Sequence, residues 1–251
     1  MFERGNWLRS RSASLKNDNV HKESIMKRYL TAFAIAAFFL FSTGLSLKAE
    51  YRQNVKVDKA MLILQDIMSD PATQIPPALL KDSYAVAVIP GVVKAGLVVG
   101  GSYGEGILVD KVSSGDWSDP LFITLAGGSV GFQAGLKSTD VVLVFRDRQS
   151  MEGILKGKFK LGVDASVAAG PVGGSAVPSE TESGARIYSY TRSKGLFAGV
   201  ALDGAVLGIA PKATESFYGS DVSPQEVLQS QNLKAPATAR EFDRLLARYT
   251  P

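Results

Sequence analysis

In residues 54–68, NVKVDKAMLILQDIM, apolar side chains recur at Val57, Ala60, Met61, Leu64, Ile67 and Met68, opposite Lys56, Lys59, Gln65 and Asp66. That is the 3.6-residue period of an amphipathic helix, and Asp70 and Pro71 close it. From 84 to 209 the texture changes to short runs of Val, Ile, Leu and Phe, with candidate strands at 84–89, 95–100, 105–110, 121–125, 129–136, 140–145, 160–169, 185–191, 196–202 and 204–209. VSSGDWSDP and LKSTD read as hairpin connections, and AAGPVGGSAVPSETESG as an exposed loop. Helical pattern returns near the end. Ser223 stands as N-cap before Pro224 and Glu226, and Ala239, Phe242, Leu245, Leu246 and Tyr249 form one stripe. The pattern predicts a β-rich α+β fold: a single glycine-rich antiparallel sheet curled into a sandwich or barrel-like core, bracketed by N- and C-terminal helices.

Of 25 glycines, 22 fall between Gly91 and Gly208, within strands as well as between them. Each one inside a strand costs roughly 0.5–1 kcal/mol, so something must compensate. Bulges, sheet corners and close approach of another chain segment are the physical reasons available.

The first 49 residues differ from the rest. Lys27 and Arg28 precede an apolar stretch, 30–41, that softens through Ser42, Thr43 and Gly44 toward Ala49. This is the layout of a secretory signal peptide at 26–49, with Met26 as its natural start and 1–25 as a non-native or disordered extension. An uncleaved N-terminal anchor is the alternative, because 30–47 nearly suffices to span a bilayer. The folded domain is then 50–251, and the chain is expected to be exported, periplasmic or membrane-associated. Eight of the 28 basic residues but only three of the 24 acidic ones lie in 1–49, leaving 20 basic and 21 acidic side chains from Glu50 onward. The overall charge of +4 therefore belongs to the leader. A nucleic-acid partner is not expected of a nearly neutral domain.

Catalysis has little to work with. GGSYG around Ser102 and GGSVG around Ser129 match G-x-S-x-G, yet both serines sit in strand-like alternation and no histidine follows His21. Gly101, Gly104 and Gly106 run into a strand, not into the helix a dinucleotide site needs. Without cysteine, disulfides and thiolate metal sites are excluded. The chain is read as a non-enzyme with no cofactor and no metal. Two basic groups remain. Lys156, Lys158 and Lys160 alternate as on one strand face, fit either for anions or for an ordinary protected edge. Arg192 and Lys194 stand next to Tyr188 and Tyr190, where a phosphate contact or a simple turn would suit them. The helix at 54–68 could lie on a membrane through Val57, Met61, Leu64 and Met68 with Lys59 beside them, or dock on the core.

Taken in order, IPPALLKDSYAVAVIPGVVKAGLVVGGSYGEG, WSDP, GGSVGFQAG, DVVLVF, DASVAAGPVG, YSYTRSKGLFAGVALDG, FYG and SPQEVL resemble the SYLF domain family, also known as the yeast-type actin-binding domain family. The resemblance covers nearly all of the chain after residue 50. It implies a non-enzymatic lipid-binding domain that in eukaryotic members recognises phosphoinositides through an amphipathic N-terminal helix, and in fungal members binds actin. The helix at 54–68 matches in position but lacks a strong basic bias. The chain resembles the bacterial exported members, for which actin is not expected. The expected partner is a phospholipid or membrane surface, with an envelope protein partner as the alternative. An outer-membrane barrel fits less well, given the continuous apolar runs and terminal helices.

Overall fold

The structure, a computed structural model, describes residues 50–250 except 73, 97–98, 113–114, 131–134, 158, 174–183, 194–195, 199–201, 203, 220, 230–232 and 234. The leader, with its expected signal peptide or anchor, lies outside the described residues.

The predicted amphipathic segment forms α1 (50–69), followed by α2 (Pro77–Lys81), which Pro77 opens. Four long strands follow: β1 (Ala85–Gly96), β2 (Val99–Asp110), β3 (Leu121–Val130) and β4 (Gly135–Phe145). Then come α3 (Arg148–Leu155), the short strands β5 (Phe159–Lys160) and β6 (Val167–Ala169), β7 (Ile187–Ser193), β8 (Leu196–Ala198) and β9 (Val206–Ile209). Three helices close the chain: α4 (Pro211–Tyr218), α5 (Pro224–Gln229) and α6 (Ala237–Tyr249).

All nine strands join one sheet in the order β5-β9-β3-β2-β1-β4-β7-β6, curled into a half-barrel with helices on its N- and C-terminal sides. β6 and β8 share the outer edge of β7. The β6–β7 pair is parallel, as is the isolated bridge between Leu161 and Ala165, whereas the other described strand pairs are antiparallel. The sheet is covered on both faces. Val86 and Val88 point into a core shared with Val57, Leu64, Phe217, Phe242 and Leu246, under α1, α4 and α6. Their neighbours Ala85, Ala87 and Ile89 point into a second core with Met151, Ile154, Phe159, Val227 and Leu228, under α3 and α5. Two buried faces are why these strands read as unbroken apolar runs instead of alternating ones.

At Pro90 and Gly91 the register of β1 slips against both neighbours. The missing proline donor is tolerated at such a bulge, and Gly91 donates its N–H to Asp140 Oδ1 at 2.8 Å. Just below, β2 approaches β1 so closely that a Cβ on Gly106 would stand 2.3 Å from the Val88 carbonyl oxygen and 2.7 Å from Ile89 Cα. Here the compensation expected for a strand glycine is close packing of two backbones. Gly204 has another reason: it has open space around it but a φ of +80°, a turn conformation that disfavours side chains.

Several segments differ from the sequence expectation. LKSTD (136–140), expected as a hairpin connection, is continuous strand within β4, and 95–96 and 99–100, expected in one strand, belong to β1 and β2. Residues 148–155 form a helix because Asp147 caps it, accepting the Ser150 N–H at 2.8 Å. Pro211 starts α4 where no helix was predicted. The expected strand 160–169 is broken by a turn at 162–164 into β5 and β6. The predicted capping box is present: Ser223 N–H donates to Glu226 Oε2 at 2.7 Å, and Glu226 N–H to Ser223 Oγ at 3.2 Å.

Candidate functional site

The inner face of α1 is committed to the core. Val57, Ala60, Leu64 and Ile67 are fully buried and Met68 nearly so, while Met61 packs at the margin and Lys59 is exposed. Ion pairs tie the helix to the sheet near both ends. Lys56 pairs with Glu105 on β2, and Asp66 pairs with Arg192 on β7. The hydrogen bond from Lys56 holds the Glu105 carboxyl below its usual range, and Tyr103 Oη donates to Glu105 Oε1 at 2.8 Å. Membrane contact through Val57, Leu64 and Met68 would require α1 to leave the sheet. What α1 shows outward is Tyr51, 70% exposed, and Leu62, 60% exposed. Leu62 borders a groove of about 520 Å³ between α1 and α6, lined also by Asp58, Met61, Glu241, Arg244 and Arg248.

The expected lysine strip is not one strand face. Lys156 is the C-cap of α3 and only Lys160, which is exposed, lies on β5. The cap at Asp147 and the turn at Gly157 make the segment helix-turn-strand, so strand alternation never applies. Lys158 and Lys194 lie outside the described residues. Arg192 is joined to Asp66, and the tyrosines beside it face inward: Tyr188 and Tyr190 are fully buried, with Tyr190 Oη donating to the Pro171 carbonyl at 3.0 Å. Tyr188 and Tyr190, considered beside Arg192 for a phosphate contact, are therefore core residues. Their alternation on β7 turns the rings into the core.

The two G-x-S-x-G serines sit on adjacent antiparallel strands, with Gly100 opposite Ser129 and Ser102 opposite Gly127. Ser102 Oγ donates to the Gly127 carbonyl at 3.3 Å. Neither serine stands on the strand-to-helix elbow that makes such a residue a nucleophile.

Two polar clusters escaped the sequence. Asp147 takes Arg186 through Nη2–Oδ1 at 2.5 Å and Nε–Oδ2 at 3.0 Å, besides capping α3. Burial pushes its carboxyl up, but the bonds from Arg186 and Ser150 outweigh that and hold it low. In the WSDP turn, Asp119 is 3% exposed and its Oδ2 has no hydrogen-bond partner. Burial pushes it up to about 6 against the pull of Arg240. Facing it from α6, Asp243 is pushed to about 8 by burial and then by the Asp119 charge, with Arg244 opposing. Tyr218 lies beside both, raised chiefly by burial, its hydroxyl donating to the Pro120 carbonyl at 2.8 Å. Trp117 Nε1 donates to Thr250 Oγ1 at 3.2 Å, fastening the same turn to the end of α6. No short motif signals this pair, since its members are 124 residues apart in sequence.

The sheet also offers a bare surface. Past the bulge, Ser138, Val93, Tyr103 and Ala126 form one cross-strand row on β4, β1, β2 and β3. All four are exposed, Tyr103 by 52% and Val93 by 41%. They lie on the α1 side, since Glu105, two residues along β2, meets Lys56.

The profile of the Ysc84 family, described as Las17-binding protein actin regulator, matches residues 126–249. Protein YSC84 of Saccharomyces cerevisiae is 32% identical over 205 residues, covering 80% of this chain and 43% of the yeast protein. LAS seventeen-binding protein 3 of the same yeast is 31% identical, over 81% of this chain and 45% of its own length. The human SH3 domain-containing YSC84-like protein 1 is 30% identical, over 82% and 60%. The chain thus matches about half of each yeast relative. These relatives are named as binding or regulatory proteins and not as enzymes.

Proposed function

For a chain that belongs to the Ysc84 (SYLF) family, we propose the role of a non-catalytic binding module acting at a phospholipid surface of the bacterial envelope, on the exported side of the membrane. The observation that carries this reading is where large apolar side chains remain in contact with water. Tyr51, Leu62, Val93 and Tyr103 stand exposed, the arrangement of a domain that meets another surface. The layout of residues 26–49 supports export. The phospholipid headgroup stays unspecified in this proposal.

Flotation with vesicles tests it. Both described cores draw only on residues from Val57 onward, so residues 50–251 are taken without the apolar leader. Co-flotation with vesicles containing anionic phospholipid is the expected result. Recovery only in the soluble fraction at every anionic content overturns the proposal.

A second reading, a scaffold for a protein partner, is favoured by the complete burial of the inner face of α1 and by relatives named for binding Las17. Affinity capture from an envelope extract with residues 50–251 as bait, yielding one stoichiometric protein while flotation fails, would establish that reading instead.

A further inference from the structure

The groove between α1 and α6 has a register fixed by one contact. Thr238 Oγ1 donates to Asn54 Oδ1 at 2.6 Å, which brings the start of α6 against α1. Beyond that contact the groove is lined by Asp58, Met61 and Leu62 on α1 and by Glu241, Arg244 and Arg248 on α6. Helices that touch at 54 and 238 and still flank one groove two turns later run side by side in the same direction. Asp58 is then level with Glu241, Leu62 lies near the middle, and Arg248 stands about 10 Å beyond Glu241 at the far end, at about 1.5 Å per residue.

The two ends of this groove carry opposite charge. Asp58 and Glu241 stand at the near end and Arg248 at the far end. Arg244 lies between them, three residues from Glu241 on the same face of α6, which partly offsets its charge. None of these four side chains makes an ion pair among the described residues. Between the ends, Leu62 is 60% exposed beside the half-buried Met61.

We propose that the occupant of this groove is a second copy of the chain, docked antiparallel about a two-fold axis through the middle of the patch. That rotation exchanges the two ends, so Asp58 and Glu241 of each copy face Arg248 of the other, twice over, as an isologous interface requires. The same rotation brings the two Leu62 side chains together over Met61, removing from water apolar surface that the single chain leaves exposed. A uniformly acidic or uniformly basic partner would suit one end and be repelled by the other. A copy docked parallel would set carboxylate against carboxylate. The patch spans only two turns of two helices, small for a permanent interface, so the dimer dissociates on dilution.

Residues 50–251, which supply both described cores, are followed by sedimentation velocity from about 5 to 500 µM. A rise from the mass of one chain to that of two is expected, and monomer throughout overturns the proposal. Glu241→Arg and Arg248→Glu, both at exposed positions, should each weaken self-association at least about tenfold, with the circular dichroism spectrum and Tm unchanged. Mixed in equal amounts, the two variants should form a dimer with one chain of each, because every end then meets its opposite charge. Association that neither variant weakens, or that the mixture fails to restore, lies elsewhere on the surface and refutes the proposal. The chain contains no cysteine, so L62C can be labelled alone with a maleimide in the full-length protein, diluted to monomer. Its reaction should be as fast as in residues 50–251. Protection in the full-length chain assigns the groove to the segment before residue 50 and overturns the two-fold contact.

Discussion

The carboxyl pair between the WSDP turn and α6 predicts that this domain loses stability as pH rises through neutrality. An unfolded Asp ionises near 3.8, whereas Asp243 in the folded domain holds its proton up to about 8. Between those values the folded state binds more protons than the unfolded chain, so unfolding free energy falls with rising pH. Asp119, and Asp110, which burial raises against the pull of Arg148, act in the same direction and are half-titrated at about 6. The interval from pH 6 to 8 therefore belongs chiefly to Asp243, with the upper halves of the other two titrations adding to it. One proton across two pH units corresponds to at most about 2.7 kcal/mol. Allowing for water at this half-buried group and for Arg240 and Arg244 nearby leaves about 2 kcal/mol. Urea unfolding of residues 50–251 at pH 6, 7 and 8 should show a midpoint falling by about 1 M. Asp243→Asn removes the charge that cannot be accommodated, so the variant should gain about 2 kcal/mol at pH 8 and lose most of the dependence between 6 and 8. A wild-type midpoint that is flat or rises over this interval, or a variant that keeps the wild-type slope, would show that the pair is not proton-coupled.

Two further outcomes follow from the packing. Gly106→Ala would place a Cβ against the backbone of β1, which cannot yield as a side-chain tip could, so a loss of about 2–3 kcal/mol is expected. A Tm within a degree of wild type would mean that the two strands separate easily. Leu64→Ala should cost about 2–5 kcal/mol, as for a fully buried leucine, while vesicle recovery per folded molecule stays unchanged. Reduced recovery with undiminished stability would place Leu64 on the lipid side instead.

Much of the fold was legible because local periodicity carries it. The stripe from Val57 to Met68, the box at Ser223 and Glu226, and the stripe of α6 each depend on spacings of three or four residues, and each forms as predicted. The α3 segment was missed because RQSMEGIL has a weak apolar stripe and its start is set by Asp147, whose second partner, Arg186, is 39 residues away. The candidate site was less legible. The stripe of α1 identifies a face to be covered but not what covers it, and burial at Leu64 assigns the sheet to that role.

By itself the sequence determined that α1, α5 and α6 are helical around a strand-rich middle, that the charge excess lies before residue 50, and that catalytic histidine and cysteine are missing from the domain. These are properties of composition and short-range spacing. Only the tertiary structure decided that one sheet carries a core on each face and that Asp119 meets Asp243. Each of those depends on which distant strands pair and in what register, a choice set by the burial of both faces at once and not by any single stretch of chain.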